Sequence, residues 1–366
     1  MKMVGDTFFV TTNWCAINKY KANAYSEVIK NSWFSTTTDE DKASIIIFLM
    51  CTFSGEREED SITKIVEQFQ SKGKRVILAW CTLPEITKKL NNVDVIPNEI
   101  VPFNNLRTFL LDNFDTETDS TFVPSALEGD ATIVQIETWC TWNCKYCSIK
   151  SAQLNGWKLI SIQPDEIIRQ ISKIENNSIY LAGNEVSAYW LDIGYSLPKL
   201  LKKIWDNFPK INIQLGNLGI FTASRWNKDD FDILSKVTWN IDFPIQSWSN
   251  KVLKEMWRNY AIEQFDRLYS ELTSRWCSIM TDYMIWYPTE TDEDFEETLN
   301  FIKKYPMKFS QIFVYEPREN TPAANLQPLP QNIIEDRVCN AIATYMKMWQ
   351  DVYGEELHFN TNVSFL

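Results

Sequence analysis

Three cysteines stand close together near the middle of the chain with the spacing C-x3-C-x2-C: Cys140, Cys144 and Cys147. Thiolates bind zinc and iron–sulfur clusters, but a closed site of either kind takes four protein ligands. No further cysteine follows until Cys277, and the only histidine is His358. Three local ligands on a four-iron cluster leave one iron open to chelate a substrate or a cofactor. The spacing therefore favours a reactive [4Fe-4S] cluster over a zinc site that borrows a distant fourth ligand.

Three more cysteines, Cys15, Cys51 and Cys81, each follow a short apolar run of strand type in the first third of the chain. In open parallel sheets, ligands bind beyond the carboxyl ends of the strands. Three thiolates at such ends predict a second cluster with an open iron. The alternative is that they are small buried apolar residues, since free cysteine is among the most buried types. Cys277 and Cys339 have no such context, and we assign both to packing.

Alternating apolar runs and helical periodicity predict an α/β fold with parallel sheets. Residues 1–115 are predicted to form an N-terminal open parallel α/β domain that carries the auxiliary cluster. Residues 130–326 are predicted to form a partial (β/α)6 barrel, and residues 327–366 a short C-terminal helical extension. Asp294 is predicted to open the last barrel helix. The predicted barrel strands are residues 131–136, 178–182, 211–215, 239–244, 278–286 and 311–315.

The composition excludes several classes of protein. The chain has 366 residues, 45% of them hydrophobic, which is enough for a full core. No stretch approaches the roughly 18 apolar residues of a membrane span, and the start lacks an apolar signal segment. We therefore expect a cytoplasmic protein whose cysteines bind metal rather than form disulfides. The formal net charge of −12 opposes binding to a phosphate backbone, so nucleic acid is a disfavoured partner.

Several further runs, taken in order with the cysteines, resemble the radical S-adenosylmethionine (SAM) methylthiotransferases. This family modifies a tRNA adenosine or a ribosomal-protein aspartate. The likeness covers about residues 6–326. The runs are C-A-I-N at 15–18, L-A-G-N-E-V-S-A-Y at 181–189, P-I-Q-S at 244–247, V-L-K-E-M at 252–256, R-N-Y at 258–260, Y-P-T-E-T-D-E-D-F at 287–295 and T-P-A-A at 321–324.

The resemblance implies two [4Fe-4S] clusters, SAM and an external electron donor. Cys140, Cys144 and Cys147 would hold the cluster that cleaves SAM to a 5′-deoxyadenosyl radical. Cys15, Cys51 and Cys81 would hold the auxiliary cluster, whose open iron carries the sulfur that is methylated and inserted. The residues expected to line SAM are Tyr146, Gly183, Asn184, Glu185, Gln246, Ser247 and Arg258.

Taken alone, two of these residues have simpler interpretations. Glu185 could be a solvated loop carboxylate, and Arg258 a charge on a helix surface.

The chain departs from the family at two points. The usual members end in a small β-barrel domain, which we expect to be missing here because only about forty residues follow Ala324. Family glycines are also replaced. Where tryptophan replaces glycine, a bulky ring near the barrel mouth would narrow the pocket or offer a surface on which a substrate stacks. The alternative is that these tryptophans simply pack in the core. The replacing residues are Trp139, Trp248, Trp286, Asn259 and Asn320.

The resulting hypothesis is a radical SAM enzyme that inserts a methylthio group at an unactivated carbon of a peptide side chain or a small metabolite. One alternative keeps tRNA as the substrate. Another is a non-catalytic iron–sulfur redox sensor, and a last one is a radical SAM enzyme that forms a crosslink and uses the auxiliary cluster only for electron transfer. The identity of the substrate and of the sulfur donor is not encoded in any motif.

Overall fold

The computed structural model describes residues 6–12, 16–50, 56–79, 84–96, 104–114, 116–118, 127–128, 131–138, 140–147, 159–189, 192–307, 309–318 and 321–354. The chain divides into two compact units. Unit 1 contains Met1–Thr141, Tyr146–Gly216 and Arg318–Ala324. Unit 2 contains Trp142–Lys145, Asn217–Pro317 and Asn325–Leu366.

The N-terminal part of unit 1 is a five-stranded parallel sheet with the order β2-β1-β3-β4-β5. Central strand β3 consists of five buried apolar residues, the pattern expected of a parallel strand covered on both faces. The strands are β1 (Thr7–Thr12), β2 (Ser35–Thr36), β3 (Ile45–Leu49), β4 (Arg75–Ala79) and β5 (Val93–Ile96). The helices are α1 (Ala16–Asn31), α2 (Glu56–Ser71), α3 (Pro84–Lys89) and α4 (Asn104–Asn113).

A second sheet of unit 1 leads into the cysteine loop. Its order is β11-β10-β7-β6, parallel except for the short antiparallel β6, and β8 and β9 form a separate antiparallel pair. The strands are β6 (Leu127–Glu128), β7 (Ala131–Gln135), β8 (Glu137–Thr138), β9 (Ile160–Ser161), β10 (Ser178–Ala182) and β11 (Asn212–Leu215). The helices are α5 (Pro164–Ile171) and α6 (Leu197–Asn207).

The two sheets of unit 1 share a hydrophobic core. Phe8 of β1 and Phe114, just after α4, lie in the same buried cluster as Ile133 of β7 and Ala182 of β10. Phe8 and Phe114 pack edge to face, with ring centroids 5.5 Å apart. The N-terminal sheet is therefore packed directly against strands that position the cysteine loop.

Unit 2 is built on the parallel sheet β12-β13-β14. Buried and partly exposed residues alternate along β13, so the strand presents one face to the core. The strands are β12 (Asn240–Gln246), β13 (Ser278–Ile285) and β14 (Phe309–Val314). The helices are α7 (Ile220–Ala223), α8 (Lys228–Val237), α9 (Asn250–Glu255), α10 (Glu263–Thr273), α11 (Asp292–Lys304) and α12 (Gln331–Tyr353).

The predicted α/β class with parallel sheets is confirmed, and each of the six predicted barrel strands is present within two residues of its expected bounds. The predicted start of α11 is wrong, because the helix begins at Asp292 and Asp294 is its third residue. Cys277 is buried as expected, whereas Cys339 is exposed on α12 and is not a packing residue. The domain boundaries remain predictions. In the part of the chain that is described, no helix is long and apolar enough to cross a membrane.

Candidate functional site

The cysteine loop follows β8 directly and contributes residues to both units. Cys144 is buried, and Cys140 and Cys147 are half-buried; none of the three is in a disulfide. Within the described ranges, no three His, Cys, Asp or Glu side chains lie in an arrangement that would hold a metal ion. Ligation by these cysteines therefore stays a prediction. The donor set itself fits a [4Fe-4S] cluster, because three cysteine thiols outside any disulfide on one short loop are the ligands that such a cluster takes.

In unit 1, the first cysteine is held by Glu185. The thiol of Cys140 donates to Glu185 Oε2 at 3.8 Å, and the hydroxyl of Thr141 donates to the same oxygen at 2.8 Å. Ser187 donates to the other carboxylate oxygen at 3.1 Å. Glu185 is only 3% exposed, so it is not a solvated loop carboxylate. It ties the segment after β10 to the start of the cysteine loop.

Glu185 is in turn held by Glu137, a fully buried residue of β8. Glu137 Oε1 accepts a hydrogen bond from the Glu185 amide at 2.9 Å, and the Asn184 amide also donates to this carboxyl. Gly183 is the residue that permits this approach, since a Cβ there would lie 1.9 Å from Glu137 Oε1. The carboxyl thus occupies the space that a side chain at position 183 would need.

Burial raises the pKa of Glu137 from 4.5 to about 8, against the opposing effect of the hydrogen bond from the Glu185 amide. Its second oxygen, Oε2, is buried and has no hydrogen-bond partner among the described residues. A protonated carboxyl fits these surroundings, because Oε1 can accept from the two amides while the proton resides on Oε2. Glu137 is not among the site residues predicted from the sequence. The sequence feature that could have identified it is an acidic residue in the otherwise apolar segment that leads to the cysteines.

In unit 2, Arg258 holds the middle cysteine. Its guanidinium donates to Cys144 Sγ at 3.3 Å and to the Pro244 carbonyl at 2.6 Å. It also stacks over the Trp142 ring at 4.4 Å. The Lys145 amide donates to the Met256 carbonyl at 3.0 Å, which fixes the loop to the end of α9. Arg258 is therefore not a helix-surface charge. The guanidinium therefore places a positive charge beside one of the three predicted iron ligands.

Gln246 is the last residue of β12 in unit 2, and Ser247 follows it. Both are buried, and the β12–β13 register shifts between Phe243 and Gln246. Gln246 has a positive φ of 72°. The Ser249 amide donates to Ser247 Oγ at 3.3 Å. These residues thus form a tight, buried turn at the carboxyl end of a parallel strand, where ligands of such sheets bind.

Two acids of the same sheet were also missed by the sequence analysis, Asp242 of β12 and Asp282 of β13. Burial raises the pKa of both, and the charge of Asp242 raises that of Asp282 further while Arg258 lowers it. The two side chains occupy the partly exposed face of each strand. In the sequence, these two acids are marked only by standing at polar positions of strands in which apolar and polar residues alternate.

For the remaining predicted residues, the structure gives their burial or does not describe them. Tyr146 is half-buried, Gly183 is half-buried and Asn184 is exposed. Cys15, Cys51 and Cys81 lie outside the described residues, as do Trp139 and Asn320. Trp248 and Trp286 pack within unit 2, where Trp248 stacks on Phe301 and Trp286 is buried.

Comparison with known proteins gives a family match over residues 134–302, to the radical SAM superfamily. A threonylcarbamoyladenosine tRNA methylthiotransferase of Drosophila pseudoobscura pseudoobscura is 28% identical in an alignment 365 positions long, which covers 90% of this chain and 63% of that relative. The chain therefore spans less than two thirds of the length of this relative. A protein of the same name from Aquifex aeolicus (strain VF5) is 25% identical over 94% of this chain and 90% of its own length.

Two solved structures share the fold. The radical SAM methyltransferase TsrM from Kitasatospora setae aligns with a TM-score of 0.63 at 10% identity, over 88% of this chain and 77% of its own. The cobalamin-dependent SAM radical enzyme OxsB aligns with a TM-score of 0.55 at 12% identity, over 93% of this chain and 56% of its own. At such identities the likeness concerns the fold alone.

The fold, the cysteine loop and the family match together define a radical SAM enzyme. Such an enzyme uses SAM and a [4Fe-4S] cluster. Within that class, the chain is similar along most of its length to proteins named as tRNA methylthiotransferases.

Proposed function

We propose that this enzyme inserts a methylthio group at an unactivated C–H carbon. The observation that carries the proposal is similarity to methylthiotransferases along at least nine-tenths of the chain, which reaches beyond the radical SAM domain into the N-terminal sheet. The N-terminal sheet would carry the auxiliary cluster on Cys15, Cys51 and Cys81. When bound, the two clusters and SAM would supply hydrogen-atom abstraction and the inserted sulfur.

The roles of the chain's own residues follow from their contacts. Glu185 orients the start of the cysteine loop through Cys140 and Thr141. Arg258 holds Cys144 and supplies positive charge beside it. Glu137 fixes the Asn184 and Glu185 amides, so that the segment expected along SAM keeps one conformation. These contacts position the ligands before any cofactor binds, which reduces the entropy lost on binding.

Two substrate classes have support. The names of the relatives favour a tRNA adenosine that carries a threonylcarbamoyl group. The net charge of −12 favours a peptide side chain or a small metabolite, because an acidic surface repels a polynucleotide. We carry both, and the product of the reaction distinguishes them.

The test is anaerobic reconstitution with iron, sulfide, SAM and a strong reductant. We expect about eight irons per chain and formation of both 5′-deoxyadenosine and S-adenosylhomocysteine. Replacing Cys140, Cys144 and Cys147 by alanine should leave about four irons and abolish SAM cleavage, and the matched triple variant at Cys15, Cys51 and Cys81 should retain SAM cleavage. About four irons in the unaltered protein, without S-adenosylhomocysteine, would contradict sulfur insertion.

Substrate class is tested with the same reconstituted enzyme. Incubation with unmodified and threonylcarbamoylated tRNA, followed by nucleoside mass analysis, should reveal a methylthio adduct if tRNA is the substrate. Binding to that tRNA should then weaken steeply as salt rises. A peptide or metabolite product with the methylthio mass, and no salt-sensitive tRNA binding, supports the other class. A product without that mass indicates crosslinking, and failure to cleave SAM indicates a redox sensor.

A further inference from the structure

Four tryptophans have a left-handed backbone conformation, an unusual state for a bulky residue. Their φ angles are 69° at Trp33, 59° at Trp257, 64° at Trp276 and 69° at Trp286. In this region the Cβ of an L-residue crowds the following carbonyl oxygen, and glycine is the residue that adopts it without cost. Only two other non-glycine residues of the described part have a positive φ. The outliers are thus concentrated in one residue type.

Trp33 ends α1 in a hydrogen-bond pattern that selects glycine. The Trp33 amide donates to the Lys30 carbonyl at 3.1 Å, and the Phe34 amide donates to the Ile29 carbonyl at 3.2 Å. These two bonds define a Schellman motif, in which the residue at Trp33's place is left-handed and is usually glycine.

Glycine occupies this same place at the end of α2. The Gly73 amide donates to the Gln70 carbonyl at 2.9 Å, and the Lys74 amide donates to the Phe69 carbonyl at 3.1 Å. Gly73 has a φ of 72°, close to that of Trp33.

Two other tryptophans repeat the motif. After α9, the Trp257 amide donates to the Lys254 carbonyl at 3.1 Å and the Arg258 amide to the Leu253 carbonyl at 2.8 Å. After α10, the corresponding bonds are Trp276 to Thr273 at 3.0 Å and Cys277 to Leu272 at 3.1 Å. Three helices of this chain therefore end with tryptophan where α2 ends with glycine.

Burial of the ring does not account for the tryptophans at positions 33 and 276. Trp33 is 77% exposed, Trp257 is 41% exposed and Trp276 is 92% exposed. An indole gains stability by burying its large apolar area, and a mostly exposed ring buries little of it. At Trp33 and Trp276 little burial of the ring offsets the left-handed backbone, whereas the Trp257 ring is more than half buried and lies 5.6 Å from Lys145 Nζ.

Inside unit 2, two tryptophans at predicted family glycine positions fit poorly. Trp286 is 2% exposed, and its indole N–H has no acceptor among the residues that the structure describes. The ring of Trp248 lies with its centroid 3.4 Å from that of Phe301 at an interplanar angle of 28°. Aromatic pairs usually keep their centroids about 4.5–7 Å apart. The Trp248 ring is thus crowded against Phe301, and the buried Trp286 indole leaves its N–H without an acceptor among the described residues.

The composition points the same way. The chain contains ten glycines and 15 tryptophans. At average usage a chain of this length would hold about 26 glycines. Glycine is therefore well below its average usage.

We infer that positions 33, 248, 257, 276 and 286 are glycine positions, and that the chain made in its source cell carries glycine there. A codon that one genetic code assigns to tryptophan and another to glycine produces this pattern, and UGA is such a codon. Tryptophans that pack normally inside helices, such as Trp205 in α6 and Trp349 in α12, are then encoded by UGG and remain tryptophan.

The inference changes the site, and it does not depend on the proposed activity. Position 248 follows Gln246 and Ser247 at the end of β12, and position 286 follows the last residue of β13. Glycine at both removes two indoles from the carboxyl ends of adjacent parallel strands, where ligands of such sheets bind. The bulky rings that would narrow the pocket are then absent, and they give no reason to exclude the substrates of the methylthiotransferase relatives.

The direct test is to read the codons and weigh the peptides. We expect UGA in the gene at all five positions and UGG at 205 and 349. Mass spectrometry of the protein isolated from its source cells should give peptides lighter by the mass difference between tryptophan and glycine at each of the five positions. Peptides that contain tryptophan at 33, 257 or 276 would overturn the inference, whatever the enzyme is found to do.

A second test uses recombinant protein. The variant W33G/W257G/W276G should unfold at a higher temperature than the tryptophan-bearing chain, because three left-handed positions are relieved. The control W205G/W349G should unfold at a lower temperature, because glycine is unfavourable inside a helix. An unchanged or lowered midpoint for the triple variant counts against glycine at these helix ends.

Discussion

At the scale of single residues, Glu137 holds the segment that contacts the first cysteine of the loop. Its carboxyl accepts the amide of Glu185, and Glu185 in turn accepts the thiol of Cys140 and the hydroxyl of Thr141. Gly183 leaves the space in which this carboxyl lies. Loss of Glu137 would leave the buried Glu185 amide without its acceptor, which costs about 1–3 kcal/mol.

We expect Glu137→Gln to preserve the loop and Glu137→Ala to release it, because glutamine keeps an acceptor at Oε1 and alanine does not. The alanine variant should show faster hydrogen exchange at Asn184 and Glu185, and its SAM cleavage should fall by about 10–100-fold, as for other residues that orient ligands. Glu296→Gln, on the exposed face of α11, serves as the control. Equal exchange in the glutamine and alanine variants would show that the carboxyl does not hold these amides.

The raised pKa of Glu137 also predicts a pH dependence. Its pKa moves from 4.5 to about 8 on folding, so between these values the folded chain holds a proton that the unfolded chain has released. Stability from this group is complete below about pH 4.5 and declines as pH rises towards 8. Urea unfolding across this range should show a shallower decline for Glu137→Gln. Parallel curves for the two proteins would mean that Glu137 does not titrate in that window.

Residue types in a local pattern could be predicted, whereas their partners could not. The three cysteines were found from spacing alone, and Glu185 and Arg258 from a resemblance. Glu185 lies 45 positions from Cys140, and Arg258 lies 114 positions from Cys144. Such contacts depend on the tertiary fold. Glu137 was missed because an acid in a strand has the same sequence pattern whether it is buried or solvated.

At the scale of elements, an ion pair fixes the last helix. Arg337 of α12 donates to Glu290 at 2.8 Å, and both side chains are almost completely buried. Arg337 also contacts Asp292 at 2.7 Å, but the side chain of Asp292 is 90% exposed. Glu290 accepts the Trp286 amide at 2.7 Å as well. The pair therefore joins α12 to the turn between β13 and α11.

We expect Arg337→Met to destabilise the protein by about 3–5 kcal/mol, because it leaves a buried carboxylate without its partner. Glu290→Gln combined with Arg337→Met should lose much less, since no buried charge remains. The matched control is Asp292→Asn, which removes the exposed partner of the same arginine and should cost about 0–1 kcal/mol. Chemical denaturation measures all three, and equal losses for Arg337→Met and Asp292→Asn would refute the assignment.

Element types were predictable because apolar runs rich in isoleucine and valine form the parallel strands. The residues at which helices begin and end were harder to predict. Asp294 was expected to start α11, but the N-cap is Thr291, and Asp294 completes a capping box by accepting the Thr291 amide at 2.9 Å. An acid in the first turn and an acid at the cap look alike in sequence, and only the geometry separates them.

At the scale of the whole molecule, the shared core of unit 1 predicts how fragments behave. A fragment of residues 1–115 lacks Ile133 and Ala182, which belong to the same buried cluster as Phe8 and Phe114. We expect this fragment to bind a hydrophobic dye and to aggregate, because apolar surface is left uncovered. A fragment of residues 1–216, which keeps β7 and β10, should bind less dye. A monomeric 1–115 fragment with no dye binding would show that its core is complete without those strands.

The same core bears on how such a chain can evolve. A domain joined to its neighbour only by an exposed linker can be transferred between genes by recombination, because no packed interface with the neighbour has to be preserved. Here side chains of the N-terminal sheet and of strands β7 and β10 pack in one hydrophobic core. A recombination point near residue 115 would bring together two halves of a core that had not been selected to fit. The two segments should therefore be inherited together and change by compensating substitutions across their boundary.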